Sequence, residues 1–195
     1  MLTQAITLIV DTLLGLFSLA LLLRFYLQIF RTPPRNVVSQ FLVALTDFIV
    51  RPARRIVPGA WGIDLATLLL AWATQLLLMG ILYALRGYDF GSNPGAASGM
   101  LMLLAAVEII KLTLYLMLAA VILQALLSWF NPRSPAAPML NSLTAPFLNV
   151  FRRFIPPIGN FDLSPVFALI AIRLLLLIVA MMNQEVARFF WIRLE

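Results

Sequence analysis

Apolar residues run along this chain in four long blocks separated by prolines, arginines and short polar turns. The first extends from about Ala5 to Phe30, with Asp11 near its start and Arg24 near its end as charged interruptions. Pro33 and Pro34 stop it, because proline lacks a backbone donor and restricts the residue before it. The second block covers Asp64 to about Leu85 and closes before the turn-forming stretch from Gly87 to Gly95. The third is predicted as a span over about residues 108–130, ended by Asn131-Pro132. Glu108 and Lys111 share one helical face at its start, so its hydrocarbon part is read as Leu112 to Phe130, with the charged pair near the headgroups. The fourth starts at Ser164-Pro165, where a first-turn proline loses no hydrogen bond, and runs to about Met182. Asn183 to Glu195 then forms a tail whose Phe189, Phe190 and Trp191 suit an interface. Since about 20 apolar residues cross a hydrocarbon core, the pattern predicts four transmembrane helices.

Two further segments show helical spacing but are too short to cross. In residues 40–57, Phe41, Leu42, Leu45, Phe48 and Ile49 fall on one face, and Arg51, Arg54 and Arg55 gather at the end. In residues 139–156, Leu140, Leu143, Phe147, Val150 or Phe151, and Phe154 repeat the pattern beside Arg152 and Arg153. Each is predicted to lie in the interface, with its apolar face in the acyl boundary and its guanidinium groups on anionic lipid headgroups. Thr144-Ala145-Pro146 reads as a helix start, and Pro156-Pro157 as a stop.

Composition agrees with the pattern. The chain of 195 residues is 63% hydrophobic and 11% charged, too little polar cover for a water-soluble globule. Its length allows one membrane domain. The N-terminus has no basic residue ahead of its apolar run, so the first block is expected to be a retained helix. Net charge is +6, but the arginines flank apolar blocks, which points to lipid headgroups rather than nucleic acid. With no cysteine and no histidine, disulfides, thiol chemistry, imidazole bases and the common zinc and haem ligands are excluded. The eight methionines are scattered and read as core filler. No catalytic set, phosphate loop or metal cage is visible, so the chain is expected not to be an enzyme and to need no cofactor.

A shift of 98 residues, the separation of Arg54 from Arg152, superposes the two halves. It places Thr46 on Thr144, Arg55 on Arg153, Pro58 on Pro156 and Asp64 on Asp162. Agreement in rare residue types separates a true repeat from two merely apolar segments. Residues 1–98 and 99–195 are therefore two units, each a helix, an interfacial segment and a helix. A unit that crosses twice starts its copy on the same side, so the units are parallel and are expected to be related by a pseudo-two-fold axis along the membrane normal. Arginines concentrate in the two connections, which places those connections in the cytoplasm and both termini outside.

The segments Leu126-Leu127-Ser128-Trp129-Phe130-Asn131-Pro132, Leu143-Thr144-Ala145-Pro146-Phe147 and Phe151 to Pro165 resemble the signature of the YggT family of bacterial membrane proteins, which has plastid relatives. The resemblance covers nearly the whole chain as two family repeats, the second being the nearer match. In the first, Phe48 stands where Pro146 does, and Gly59-Ala60-Trp61-Gly62 replaces Pro157-Ile158-Gly159-Asn160. The resemblance implies a multi-pass protein of the bacterial inner membrane, associated with osmotic tolerance or with cell-division and envelope genes. For the plastid relatives it implies maturation of a haem-bearing cytochrome complex.

Ionisable and amide side chains inside apolar blocks are functional candidates, since hydrocarbon penalises them unless they are paired or reach water. Arg24 and Gln28 in the first span, Gln75 in the second, Gln124 in the third and Arg173 in the fourth fall at similar depths, a polar layer in the cytoplasmic half. One reading is a small polar cavity or anion site. The other is snorkelling arginines and glutamines that bridge helices. Asp64 and Asp162 stand at helix starts, where a carboxylate caps backbone donors, and a sharper expectation pairs each with an arginine of its own connection or with Arg24. Three functions follow. The first is a non-enzymatic role in envelope or membrane-complex assembly or osmotic tolerance, with lipids, other membrane proteins or a second copy as partners. The second is a small oligomeric transporter or channel; the third, haem handling, is implied only by the plastid relatives of the resembled family and would have methionine as its remaining common ligand.

Overall fold

The computed structural model describes every residue except 33–35, 60–61, 89, 92, 132, 155–161 and 195, and the side chains of 154 and 189–194. Pro33, Pro34, Pro132 and Pro156 therefore lie outside the described residues. Six helices follow one another: α1 (Leu2–Ile29), α2 (Val37–Ile56), α3 (Leu65–Leu85), α4 (Pro94–Phe130), α5 (Ala137–Phe154) and α6 (Ser164–Leu194). Four of them, α1, α3, α4 and α6 over Ser164–Arg188, are long and apolar enough to cross a membrane. The chain is an all-α, multi-pass membrane protein.

Helix ends follow local chemistry. Asn36, Asp64 and Asn93 cap α2, α3 and α4 by accepting from the backbone N–H groups of Ser39, Thr67 and Ala96. The end of α3 turns through Gly87 at φ 81°, with Tyr88 N–H donating to the Tyr83 carbonyl and Gly87 N–H to that of Ala84. The end of α1 makes the same turn, Thr32 to Leu27 and Arg31 to Gln28, but a non-glycine residue, Arg31, occupies the left-handed position at φ 49°.

Two boundaries differ from those the sequence predicts. Pro94 starts α4 well ahead of Glu108, so that pair lies inside a helix of 37 residues rather than at the start of one. At about 1.5 Å per residue α4 is some 55 Å long, more than a 30 Å hydrocarbon core requires. Behind its cap the stretch from Gly95 to Val107 carries alanines, leucines and methionines, good helix formers that outweigh its two glycines, and it holds no proline to break the helix. Likewise α6 continues through the predicted tail to Leu194.

Within each unit the first helix packs along the last, α1 on α3 and α4 on α6, and the short helix bridges both. Leu42, Thr46 and Val50 form the buried stripe of α2, and their equivalents Leu140, Thr144 and Leu148 that of α5. Met139 of α5 packs on the cluster of Ala20, Leu27 and Leu42, which puts both short helices at the same end of the bundle. Pro146 lies inside α5 instead of opening it. Thr144 is not a cap, because its hydroxyl donates back to the Leu140 carbonyl at 2.8 Å. Pro146 is tolerated there, as Pro52 is within α2, on the exposed side of an amphipathic helix.

The units meet one-sidedly. α3 lies against α4, but among the described residues α6 touches only α4 and α5. A two-fold axis would pair α6 with α1 wherever it paired α3 with α4. The contacts therefore depart from the expected pseudo-two-fold relation: among the described residues the face of α3 that receives α4 has no occupied counterpart on α6.

Candidate functional site

The two short helices are fastened by the same device. Arg54 donates from Nε and Nη2 to Asp64, whose carboxylate also caps Thr67 and accepts from the Thr67 hydroxyl. In the second unit Arg152 donates to Asp162 at 2.8 and 2.9 Å, and Asp162 accepts from the Ser164 backbone N–H at 2.9 Å. Each clasp joins the C-terminal end of the amphipathic helix to the start of the following span. Burial pushes the Asp64 carboxyl up, but the hydrogen bonds from Arg54 and Thr67 outweigh it and hold the group below the usual carboxylate range. Asp162 is held low in the same way by Ser164 and Arg152. Above the clasps, Thr46 and Thr144 are fully buried and bond back to the carbonyls of Leu42 and Leu140.

A second ion-pair fastening is found, among the described residues, in the first unit alone. Arg24, 8% exposed, donates to the Thr46 hydroxyl at 2.7 Å and to Asp47 at 2.8 Å. Asp47 also receives Arg51 at 2.6 Å. The hydrogen bond from Arg24 outweighs the opposing effect of burial and keeps the Asp47 carboxyl low. Asp47 has no acidic counterpart in the repeat, where Ala145 stands, and Arg24 is matched by Ile122.

Between α1 and α2 this fastening opens a cavity of 590 Å³, within the range of small-ligand sites. Arg24, Arg31 and Arg54 supply guanidinium groups, and Gln28, Ser39 and Gln40 supply neutral polar groups. Gln28 accepts from Arg54 at 3.3 Å. Asp47 and Asp64 hold their arginines without lining the cavity, so its wall offers donors and positive charge to an anion such as a phosphate. The equivalent positions in the second unit are Ile122, Trp129, Arg152, Leu126, Ala137 and Pro138, so one cation remains among apolar groups. There Gln124 instead donates to Asn141, and the nearby cavity measures 10 Å³.

The predicted polar layer is thus divided. Arg24 and Gln28 belong to the first-unit cavity, Gln124 to the contact of α4 with α5. Gln75, 2% exposed, lines a separate cavity of 400 Å³ between α1, α3 and α4 with Asp11, Glu108 and Lys111. Lys111 donates to Glu108 at 2.9 Å, and Asn183 of α6 donates to the same carboxylate at 2.9 Å. Arg173 joins neither cavity. It is exposed on the outer side of α6, although Gln75, its repeat equivalent, is buried. The physical reason is that α4 covers this side of α3, whereas among the described residues no helix covers it on α6. Arg51, Arg55 and Arg153 are exposed on the short helices, and Pro58 is exposed just past α2. Among the described residues no group of side chains has the make-up of a metal site.

The CCB3/YggT family pattern matches residues 3–85 and 103–183, one stretch in each unit. An uncharacterized protein of Pseudomonas aeruginosa, PA0392, is 40% identical over 172 residues, covering 86% of this chain and 84% of that protein. The uncharacterized protein YggT of Escherichia coli (strain K12) is 30% identical over 185 residues, covering 94% of this chain and 90% of its own. YlmG homolog protein 2, chloroplastic, of Arabidopsis thaliana is 43% identical over 52 residues, which cover 26% of this chain and 21% of that protein. No solved structure matches the chain.

Proposed function

The chain belongs to the CCB3/YggT family, and on that premise we propose that it is a non-enzymatic protein of the bacterial inner membrane that assembles or organises envelope complexes, or supports osmotic tolerance, by holding anionic lipid phosphate at a cytoplasmic basic face. The observation that carries this reading is the pair of amphipathic helices clasped to one end of the bundle by Arg54–Asp64 and Arg152–Asp162. A helix so fastened presents a fixed row of guanidinium groups at headgroup level rather than a mobile tail. The cavity at Arg24, Arg31 and Arg54 adds a recess for one phosphate group. The protein's partners are then anionic lipids together with other membrane proteins or further copies of itself.

A second reading, transport of an ion or small osmolyte, draws on the cavity at Asp11, Gln75, Glu108 and Lys111, because ionisable groups facing a cavity inside a membrane bundle are typical of ion pathways. One paired assay separates the two. Purified protein in phosphatidylglycerol-containing proteoliposomes is expected to pass no more potassium or glycine betaine than protein-free vesicles, while protein extracted from native membranes retains anionic lipid and a stable membrane partner. Flux above the vesicle background that disappears in Glu108→Gln would establish transport and remove the assembly reading.

A further inference from the structure

The cavity of 400 Å³ between α1, α3 and α4 is floored by Gln75 and Leu78, both 2% exposed, and its mouth is formed by the exposed Asp11, Thr12, Leu16 and Tyr115. Counted at about 1.5 Å per residue from the helix ends that flank α2, Gln75 lies some 15 Å along α3 and Asp11 some 27 Å along α1. The cavity therefore runs from mid-span toward the end of the bundle opposite the basic face. Gln75 makes no side-chain hydrogen bond among the described residues, and the little of it that is accessible faces this cavity. A buried amide without a partner is costly unless something enters to bond it. Asp11 likewise has no hydrogen-bond or ion-pair partner among the described residues. Glu108, by contrast, is satisfied: Lys111 reaches both of its oxygens, at 2.9 and 3.1 Å, and Asn183 donates to one of them at 2.9 Å. The Glu108–Lys111 pair is neutral as a whole, so the cavity keeps one uncompensated negative charge at its mouth and one unpartnered amide at its floor. Leu16, Leu19, Leu78 and Leu112 supply apolar wall between them.

We infer that this cavity binds a small organic cation, with an ammonium group at the Asp11 carboxylate, an apolar body along the leucines and a neutral polar tip at Gln75. Charge sets the sign, because a carboxylate without a counterion beside low-dielectric walls calls for one positive charge. Size sets the class. A space of 400 Å³ is in the range of small-molecule sites, whereas a metal cation needs several oxygens closing on it, and among the described residues no group of side chains has that make-up. An aminophospholipid headgroup matches less well, because the phosphate beside its ammonium would be carried against the Asp11 carboxylate and the leucines. The site is not repeated in the second unit: Ile109 matches Asp11, and Arg173, the equivalent of Gln75, is exposed on α6. Binding here requires no passage across the bundle, so a lack of flux leaves the inference standing, and a lack of binding leaves the lipid-holding role untouched.

Gly15 lines the cavity, and a Cβ placed there meets nothing within 4 Å, so in this cysteine-free chain Gly15→Cys puts a single thiol inside the site. The purified full-length variant in dodecyl maltoside is labelled with two methanethiosulfonates of similar size, one carrying a trimethylammonium group and the other a sulfonate. Relative to free cysteine, the cationic reagent should react about tenfold faster than the anionic one, and Asp11→Asn should remove the preference. Added 6-amino-1-hexanol should slow labelling, but not in Asp11→Asn. Gln75→Leu should weaken that protection while sparing the protection given by hexylamine, which has no polar tip. Thr12→Cys, at the mouth, is the second reporter and serves where Gly15→Cys does not fold. Equal rates for the two reagents, no protection by either amine, or protection by aminohexanol that Asp11→Asn or Gln75→Leu leaves unchanged would overturn the inference. Suppression of labelling in phosphatidylethanolamine nanodiscs without added amine, and not in phosphatidylglycerol ones, would assign the cavity to a lipid headgroup and overturn it as well.

Discussion

The two units have one frame and two interiors. Thr46 and Thr144 are equally buried, and Arg54–Asp64 and Arg152–Asp162 tie equivalent helix ends together. Between the first helix and the amphipathic helix, however, the first unit has Arg24, Thr46 and Asp47 beside a wide cavity, and the second has Ile122 and Ala145 at the places of Arg24 and Asp47. What the units share is therefore what the fold needs to hold an amphipathic helix down. What differs is the charge between the two helices, which is why the proposed anion recognition is assigned to the first unit.

The largest effect is expected where a charge would be stranded. Asp47→Ala leaves Arg24 buried without its carboxylate and should cost about 3 kcal/mol in detergent unfolding titrations. Arg24→Ile added to it rebuilds the chemistry of the second unit and should return stability to within about 1 kcal/mol of the starting protein. If the double variant were as damaged as the single one, the two interiors would not be interchangeable and the comparison would fail.

Next come the clasps. Asp64 is nearly inaccessible and holds both a cap and an ion pair, so Asp64→Ala should cost about 2 kcal/mol. Asp162 is more open, and Asp162→Ala should cost about 1 kcal/mol by the same measurement. Equal losses would show that burial does not distinguish the two units.

Acid should expose the same asymmetry. Asp47, Asp64 and Asp162 all have folded-state pKa values below their ordinary one, so each contributes stability that is complete above about pH 4 and is lost as the pH falls through the depressed value. Two of the three belong to the first unit. Melting curves recorded downward from pH 5 should therefore keep most of their acid sensitivity in Asp162→Asn and lose part of it in Arg24→Ile/Asp47→Ala.

The smallest expected effect is a gain. Arg31 holds a left-handed backbone at the position Gly87 fills in α3, so Arg31→Gly should add about 1 kcal/mol while removing one cation from the cavity. A loss of stability would mean that the arginine side chain contributes more than its backbone costs.

The four spans, the two amphipathic helices and the repeat were legible because each rests on periodicity or on rare residue types in constant register. So was the pairing of Asp64 and Asp162 with their own connections, since both partners recur in the repeat. Asp47 was not legible as the partner of Arg24. Its equivalent is Ala145, and a reading that follows matched positions passes over it, although a lone acid beside the arginines of an amphipathic helix was the signal available. Asn141 escaped for the same reason, matched by Val43. Arg173 was set beside Gln75 because sequence gives depth along a helix, but whether a given side is covered depends on which helices lie against it. The start of α4 was missed because Glu108 and Lys111 suggested a headgroup boundary, while their partner Asn183 is distant in sequence.

Both amphipathic helices are proposed to stand on one cytoplasmic face of two parallel units. Single cysteines at Arg51 and at Arg153 in the otherwise cysteine-free chain test this with a membrane-impermeant maleimide. Both positions should be protected in intact cells and both labelled in inverted vesicles. Labelling of one in cells and of the other in inverted vesicles would contradict the parallel repeat, and labelling of both in cells would reverse the orientation.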